Sequence, residues 1–268
     1  MVPRKFWMER IEGAWKRRSI IWLAGVRRVG KTFLCKSLDH SSYYDCELPR
    51  VRHQLEDPER FLEGQAGKRV ILDEIHRLDN PAELLKIAAD HFPSVHVIAT
   101  GSSTLGASRK FKDTLTGRKT RIHLTPMLAH ETTAFDGRDL LHRLLNGGLP
   151  PFFMEDRPHE ADYQEWLSSY WAKDIRELYQ VEKPHSFLKF IELMLAHSGS
   201  LFEATRFAAP CEVSRTTIAN YLSVLAATFV VYIVRPFSSS LRAEIVSAPK
   251  VYGFDTGFVC HARGWTSC

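Results

Sequence analysis

Ile20-Ile21-Trp22-Leu23-Ala24-Gly25-Val26-Arg27-Arg28-Val29-Gly30-Lys31-Thr32 is the stretch that decides the fold class of this chain. Its first five residues form an unbroken apolar run, the pattern of a strand covered on both faces rather than one that alternates between core and water. The next eight fit G-x-x-x-x-G-K-[ST] at every fixed position, and Lys31 to Leu38 reads as a helix. A strand that enters a glycine turn and opens a helix suits phosphate. The loop N–H groups and the helix N-terminus converge on anionic oxygens, and glycine lets the backbone bend that closely. Lys31 is placed to reach the β- and γ-phosphates of ATP, and the Thr32 hydroxyl to ligate Mg2+. The nucleotide-contacting stretch is therefore expected to run through Gly25, Val26, Arg27, Arg28, Val29, Gly30, Lys31, Thr32 and Phe33.

Working outward, two more apolar runs follow, Arg69-Val70-Ile71-Leu72 and Val95-His96-Val97-Ile98-Ala99. Between them Pro81 to Asp90 has helical character, with Asn80 or Asp79 as cap and Pro81 in the first turn. Strands alternating with helices predict a parallel α/β sheet. Asp73-Glu74 stands directly behind the second run. An acidic residue at such a strand end holds the metal, and a neighbouring carboxylate polarises the attacking water, so Asp73 is the metal-side candidate and Glu74 the candidate base. The third run ends in Thr100-Gly101-Ser102-Ser103, where Ser102 or Ser103 is a candidate sensor of the γ-phosphate; a plain helix cap or serine turn is the rival reading.

The chain has 268 residues, 44% hydrophobic and 25% charged, enough for a sizeable core in one large or two modest domains. Its longest apolar runs are far shorter than the roughly 20 residues of a membrane span, and Arg4-Lys5 is followed by no apolar leader segment. A cytoplasmic protein with no membrane partner is expected. The five cysteines are scattered, without the close pairs of a zinc site, and are read as reduced thiols. A net charge of +5 neither demands nor excludes nucleic acid.

The order of these pieces resembles a group of prokaryotic AAA-type ATPases. The resemblance is carried by Asp73-Glu74-Ile75, Thr100-Gly101-Ser102-Ser103, and Leu115-Thr116-Gly117-Arg118 leading into Ile122-His123-Leu124-Thr125-Pro126. It continues through Gly147-Gly148-Leu149-Pro150, Tyr170-Trp171-Ala172-Lys173-Asp174-Ile175 and Pro249-Lys250-Val251-Tyr252-Gly253-Phe254-Asp255-Thr256-Gly257. It implies an AAA+ α/β core, a winged helix and then a C-terminal nuclease-like domain of unsettled function. The sequence stops soon after Gly257, so that last domain is expected to be absent, by loss or by truncation. Val26 stands where the family loop tends to have proline. The resemblance also makes Arg118 a candidate arginine contacting a γ-phosphate, in cis or from a neighbouring subunit of a homo-oligomer.

The C-terminal third reads as a helix from Phe187, a second over Leu201 to Ala209, a break at Pro210, and a helix capped by Ser214. In that last helix Ile218, Tyr221, Leu222 and Leu225 form an apolar face, leaving Arg215, Thr217 and Asn220 to meet a ligand. This is a helix-turn-helix pattern, with Val230 to Val234, the polar tip Ser238-Ser239-Ser240 and Lys250-Val251-Tyr252 as its wing. Double-stranded DNA and a protein partner both suit it, since one cation on the helix is few for a DNA reader.

The expected fold is thus α/β: a P-loop AAA+ three-layer core with a parallel sheet over residues 1–150, an all-helical linker over 151–184 and a winged helix over 185–268. The expected function is an ATP-binding, Mg2+-dependent ATPase that couples nucleotide state to the winged helix. The alternative is a non-hydrolysing ATP switch or protein-interaction module; a helicase lacks a second motor domain, and a small-substrate kinase fits the Asp-Glu pair poorly. Lys31→Ala should abolish most nucleotide affinity in a folded chain, because it removes a charge-assisted contact to the phosphates. Titration with a fluorescent ATP analogue measures it.

Overall fold

The computed structural model describes residues 3–101, 111, 114–132, 138–176, 179, 181–237 and 247–265. The chain divides into two compact units, one made of residues 1–25 and 29–125, the other of 26–28 and 126–268.

The first unit is built on a five-stranded sheet. Its strands are β1 (Ile20–Ala24), β2 (Ser41–Asp45), β3 (Arg69–Asp73), β4 (His96–Thr100) and β5 (Lys119–His123), in the spatial order β2-β3-β4-β1-β5. All four pairings are parallel. Every residue of β1 is at most 1% exposed, and Val70 to Leu72 and Val97 to Ala99 are fully buried, which explains why these strands read as continuous apolar runs. Burying each such aliphatic side chain stabilises the fold by about 1.5–3 kcal/mol before entropy is counted. Strand β2 escaped the sequence reading because Ser41-Ser42-Tyr43-Tyr44-Asp45, on the sheet edge, is half-buried throughout and carries no apolar run.

Helices Lys5–Trp15 and Pro81–His91 pack against β1, and Lys31–Lys36 against β2. Asn80 does take the N-cap position of Pro81–His91, but its side chain makes no capping bond; its amide donates instead to the Glu83 carboxylate. Strand β4, at His96–Thr100, starts one residue after its apolar run begins, and β5, at Lys119–His123, takes in only the first two residues of the Ile122-His123-Leu124-Thr125-Pro126 motif.

The second unit is mostly helical as far as residue 175. It holds Ala129–Thr132, Leu140–Asn146, Pro150–Met154 and Glu160–Tyr170, the last continuing into a π-helical turn, Trp171–Ile175. Pro184 does not merely end what precedes it but starts the helix Pro184–Ala196, where its missing N–H costs nothing. Then come β6 (Ser200–Leu201), helices Ala204–Ala208 and Arg215–Ala227, β7 (Val231–Val234), β8 (Lys250–Gly253) and helix Thr256–Ala262. The three strands form an antiparallel sheet in the order β6-β8-β7. The Ser238-Ser239-Ser240 tip lies outside the described residues.

Two glycine motifs far apart in sequence meet here. The buried Asp255 carboxylate accepts from the Gly148 N–H at 2.7 Å and from the Gly257 N–H at 3.0 Å. Gly147 adopts φ +80°, and a Cβ there would collide with that carboxylate; a Cβ on Gly257 would run into the Asn146 backbone. Arg143 closes the cluster, donating to the Thr256 hydroxyl at 3.2 Å and to the Met127 carbonyl at 3.1 Å. Burial pushes the Asp255 pKa up, while the Gly148 N–H and the Arg143 charge oppose the shift. Asp255→Ala takes the acceptor from the buried Gly148 and Gly257 N–H groups, among others, at about 1–3 kcal/mol for each such group left unsatisfied. Its thermal midpoint should fall by several degrees in a melting experiment, whereas Asp139→Ala, an exposed helix cap, should move it less.

Candidate nucleotide-binding site

The parallel sheet brings the C-terminal ends of β1, β3 and β4 to one edge, because β4 lies between the other two. That edge is where the loop after β1 turns into helix Lys31–Lys36, with Gly30 as its N-cap at φ +98°. Only glycine adopts that backbone readily. Gly25 is required for a different reason: a Cβ there would strike the Leu124 carbonyl oxygen. Lys31 Nζ donates to the Gly25 carbonyl at 2.8 Å, so the lysine lies back along its own loop.

Asp73, 4% exposed at the end of β3, is the hub of the site. Its Oδ2 accepts from the Thr32 hydroxyl at 2.8 Å and from the Tyr43 hydroxyl at 2.6 Å. Its Oδ1 accepts from the Thr100 hydroxyl, whose oxygen in turn accepts from the Glu74 N–H at 3.2 Å. Glu74 adopts a left-handed φ of +54°, and its Oε2 lies 3.1 Å from His76 Nδ1. A non-glycine residue in that region is strained, and such strain clusters at functional sites.

Of the residues picked from sequence, Thr32, Asp73, Lys31 and Gly25 converge, and Glu74 follows Asp73 at the same strand end. Val29 presents its carbonyl to a guanidinium 3.2 Å away, that of Arg4. Phe33 lies in the first turn of the helix. Arg27 and Arg28 turn their side chains elsewhere: Arg27 Nη1 is 3.4 Å from Asp174 Oδ2, and Arg28 pairs with Glu165. Val26 is buried at 3% exposure. Ser102 and its rival Ser103 lie outside the described residues.

Arg118 is not brought to the loop of its own chain. It precedes Lys119, which pairs with Ile20 at the start of β1, whereas the loop begins after Ala24, about 13 Å further along at 3.3 Å per residue. Its Nε donates to Asp90 Oδ1 at 2.7 Å. Arg215 is exposed at the start of its helix, Asn220 is exposed, and the Thr217 hydroxyl lies 2.9 Å from Ser214 Oγ, inside the helix cap.

Four residues near the loop were not picked from sequence as site residues, although Thr100 and His123 stand inside quoted motifs. Tyr43 sits on an unrecognised strand, and Thr100 ends a strand as an ordinary polar residue. Arg4 resembles a charged terminus but is 2% exposed and donates to the Val29 and Thr125 carbonyls at 3.2 and 3.1 Å. His123, beside Ala24 in the register, has its pKa pulled down to about 4 by burial and by the charges of Arg121 and Lys31.

Residues 17–133 match the family described as AAA domain, and residues 137–268 match a domain of unknown function (DUF8612). The first match supports a P-loop AAA-type ATPase domain over residues 17–133. Uncharacterized proteins of Mycobacterium bovis and Mycobacterium tuberculosis are each 28% identical over 273 residues, covering 98% of this chain. The chain spans 60% of the length of those relatives. The Walker-type ATPase of Pyrococcus abyssi superimposes with a TM-score of 0.64 at 14% identity, over 98% of this chain and 96% of that one. At that identity the likeness is one of fold.

The donors around Asp73 are hydroxyls and a carboxylate, the hard oxygen set that Mg2+ takes together with water and phosphate. Among the described residues no group of three or more histidine, cysteine, aspartate or glutamate side chains could hold a metal unaided, and no helix is long and apolar enough to cross a membrane. His123 yields a pH prediction. Its folded pKa lies below the 6.5 of an unperturbed histidine, so the unfolded chain binds the extra proton as pH falls from about 6.5 toward 4, and stability drops across that window. His123→Gln should flatten that drop relative to the parent, measured as melting temperature against pH.

Proposed function

We propose that this chain is a Mg2+-dependent ATPase whose nucleotide state is read out by a winged-helix module within residues 185–268. The observation that carries the reading is the Thr32 hydroxyl on the Asp73 carboxylate at 2.8 Å, next to Lys31, whose ammonium rests on the Gly25 carbonyl at 2.8 Å. Lys31 exchanges a neutral carbonyl for charged phosphate oxygens when ATP arrives, a stronger partner. Thr32 and Asp73 are the residues that would hold Mg2+, which when bound would supply positive charge for the transferred phosphoryl group. Gly25 to Phe33 wrap the phosphates with backbone N–H groups. Tyr43 and Thr100 fix the Asp73 carboxylate, so little reorganisation is left for the moment of reaction.

Glu74, directly beyond the metal-side aspartate, takes the proton of the attacking water. Ser102 remains the candidate sensor. Arg118 enters this reading only as a group offered to a neighbouring copy in a homo-oligomer.

The winged-helix assignment is supported by the succession helix, strand, helix, helix, strand, strand from Pro184 to Gly253 and by the antiparallel order of its strands. Arg215, Thr217 and Asn220 would line its contact with DNA. The helix Arg215–Ala227 carries a single cation, so a protein partner is the better match to its chemistry.

A non-hydrolysing switch has one observation in its favour, the 3.1 Å approach of His76 to the Glu74 carboxylate, which would hold the base out of action. Glu74→Gln distinguishes the two readings, since the amide keeps the shape and removes the basicity. As an ATPase, the variant should bind ATP like the parent and turn it over roughly 10²- to 10⁴-fold more slowly, the range of a positioned base. Phosphate release that is equal in both proteins would remove Glu74 as the base, and ATP binding without phosphate release from either would leave the switch as the function.

A further inference from the structure

The head of the loop, Val26–Arg28, belongs by its packing to the second unit, and three side chains of that unit hold it. Trp166 Nε1 donates to the Arg27 carbonyl at 3.2 Å. Asp174 Oδ2 lies 3.4 Å from Arg27 Nη1, and Glu165 pairs with Arg28. We infer that Trp166, Glu165 and Asp174 are positioning residues for the phosphate-binding loop, and that Trp166 relays its occupancy to the C-terminal end of helix Arg215–Ala227. This rests on the loop binding ATP, as proposed above.

The positioning follows from peptide geometry. In a planar trans peptide the carbonyl and the following N–H point in opposite directions. Fixing the Arg27 carbonyl on Trp166 therefore turns the Arg28 N–H away from the indole. The indole is a rigid donor: fully buried, it stacks on Tyr170 at 5.2 Å and 14° and on Phe254 at 5.3 Å and 18°, with the edge of Phe258 at 4.8 Å. With both guanidiniums drawn to carboxylates, the loop presents backbone and Lys31 to phosphate.

The relay follows from what lies behind the indole. The hydroxyl of Tyr170, stacked on Trp166, lies 2.6 Å from Thr228 Oγ1, and both residues are buried. Thr228 is the C-cap of Arg215–Ala227, and its hydroxyl also reaches the Val224 carbonyl at 2.8 Å. A ligand shifts such a network only if it interacts differently with its two arrangements. Polyphosphate meets that condition, because its oxygens take the loop N–H groups only in the arrangement in which Trp166 holds the Arg27 carbonyl and Asp174 and Glu165 hold the two guanidiniums.

The test uses the parent, Trp166→Phe, Asp174→Asn and Lys31→Ala. Each is titrated with a fluorescent ATP analogue and Mg2+, and hydrogen exchange of peptides spanning 215–228 is followed with and without ATP. Trp166→Phe keeps the ring stack and loses only the donor; Asp174→Asn alters a side chain 18% exposed and leaves the aromatic stack untouched. We expect both to weaken binding about two- to tenfold, the span of one intramolecular hydrogen bond, and to lose the ATP-dependent change in 215–228 that the parent displays. Asp174→Glu should restore it. Parent-like affinity together with a parent-like exchange response overturns the inference; weakened binding with the response retained overturns the relay and keeps the positioning role. Lys31→Ala separates the two levels: if it alone abolishes binding, the loop is the ATP site whatever the other variants do. A parent that binds no ATP removes both the reading and the inference.

Discussion

A carboxylate buried at a strand end has to be satisfied on every side, and Asp73 meets that demand with three hydroxyls, those of Thr32, Tyr43 and Thr100. An unpaired charge at 4% exposure would cost several kcal/mol, so each partner is held as firmly as the charge itself. The three partners come from the helix after the loop, from the edge strand β2 and from the end of β4. The carboxylate therefore ties the sheet order to the loop. Only with β4 between β1 and β3 do Thr100 and Thr32 reach opposite oxygens of the same group. What looks like a metal-side residue is also the polar keystone of the sheet edge.

The second unit uses the same device with a different partner. Asp255 is satisfied by backbone N–H groups instead of hydroxyls, and this is why its surroundings are glycines: at Gly147 and Gly257 there is no room for a Cβ beside the carboxylate or the facing backbone. The two motifs that look like separate family signatures are thus two halves of one contact, 107 residues apart. Phe254, one residue before Asp255, stacks on Trp166, so the same turn also supports the indole that grips the Arg27 carbonyl. A short glycine-acid turn consequently bears on both the packing of its own unit and the backbone of Val26–Arg28.

The arginines illustrate how charge in a motif can be misread. Arg27 and Arg28 stand inside a phosphate-binding signature, yet their guanidiniums are engaged with carboxylates on Glu160–Tyr170 and on the π-helical turn after it. Arg4, which reads as a charged terminus, is nearly fully buried and clamps the carbonyls of Val29 and Thr125, with its guanidinium 5.6 Å from the Trp7 ring. Guanidinium carries five donors in a rigid fork, and so it serves backbone carbonyls as readily as phosphate.

What the sequence determined by itself was whatever short-range pattern encodes: the buried strands at Ile20, Val70 and Val97, the glycine loop with its lysine and threonine, the Asp-Glu pair, and the Ser214 cap, whose Oγ accepts from the Thr217 N–H at 3.1 Å. Periodicity and fixed spacing are local, so one pass along the chain is enough to read them. The edge strand β2, the Tyr43 and Thr100 hydroxyls on Asp73, the pairing of Gly148 with Asp255 and the distance of Arg118 from its own loop were decided by tertiary structure alone. Each depends on strand order or register, or on a contact between residues roughly 25 to 110 apart in the chain, and no local pattern records which distant segment becomes the neighbour.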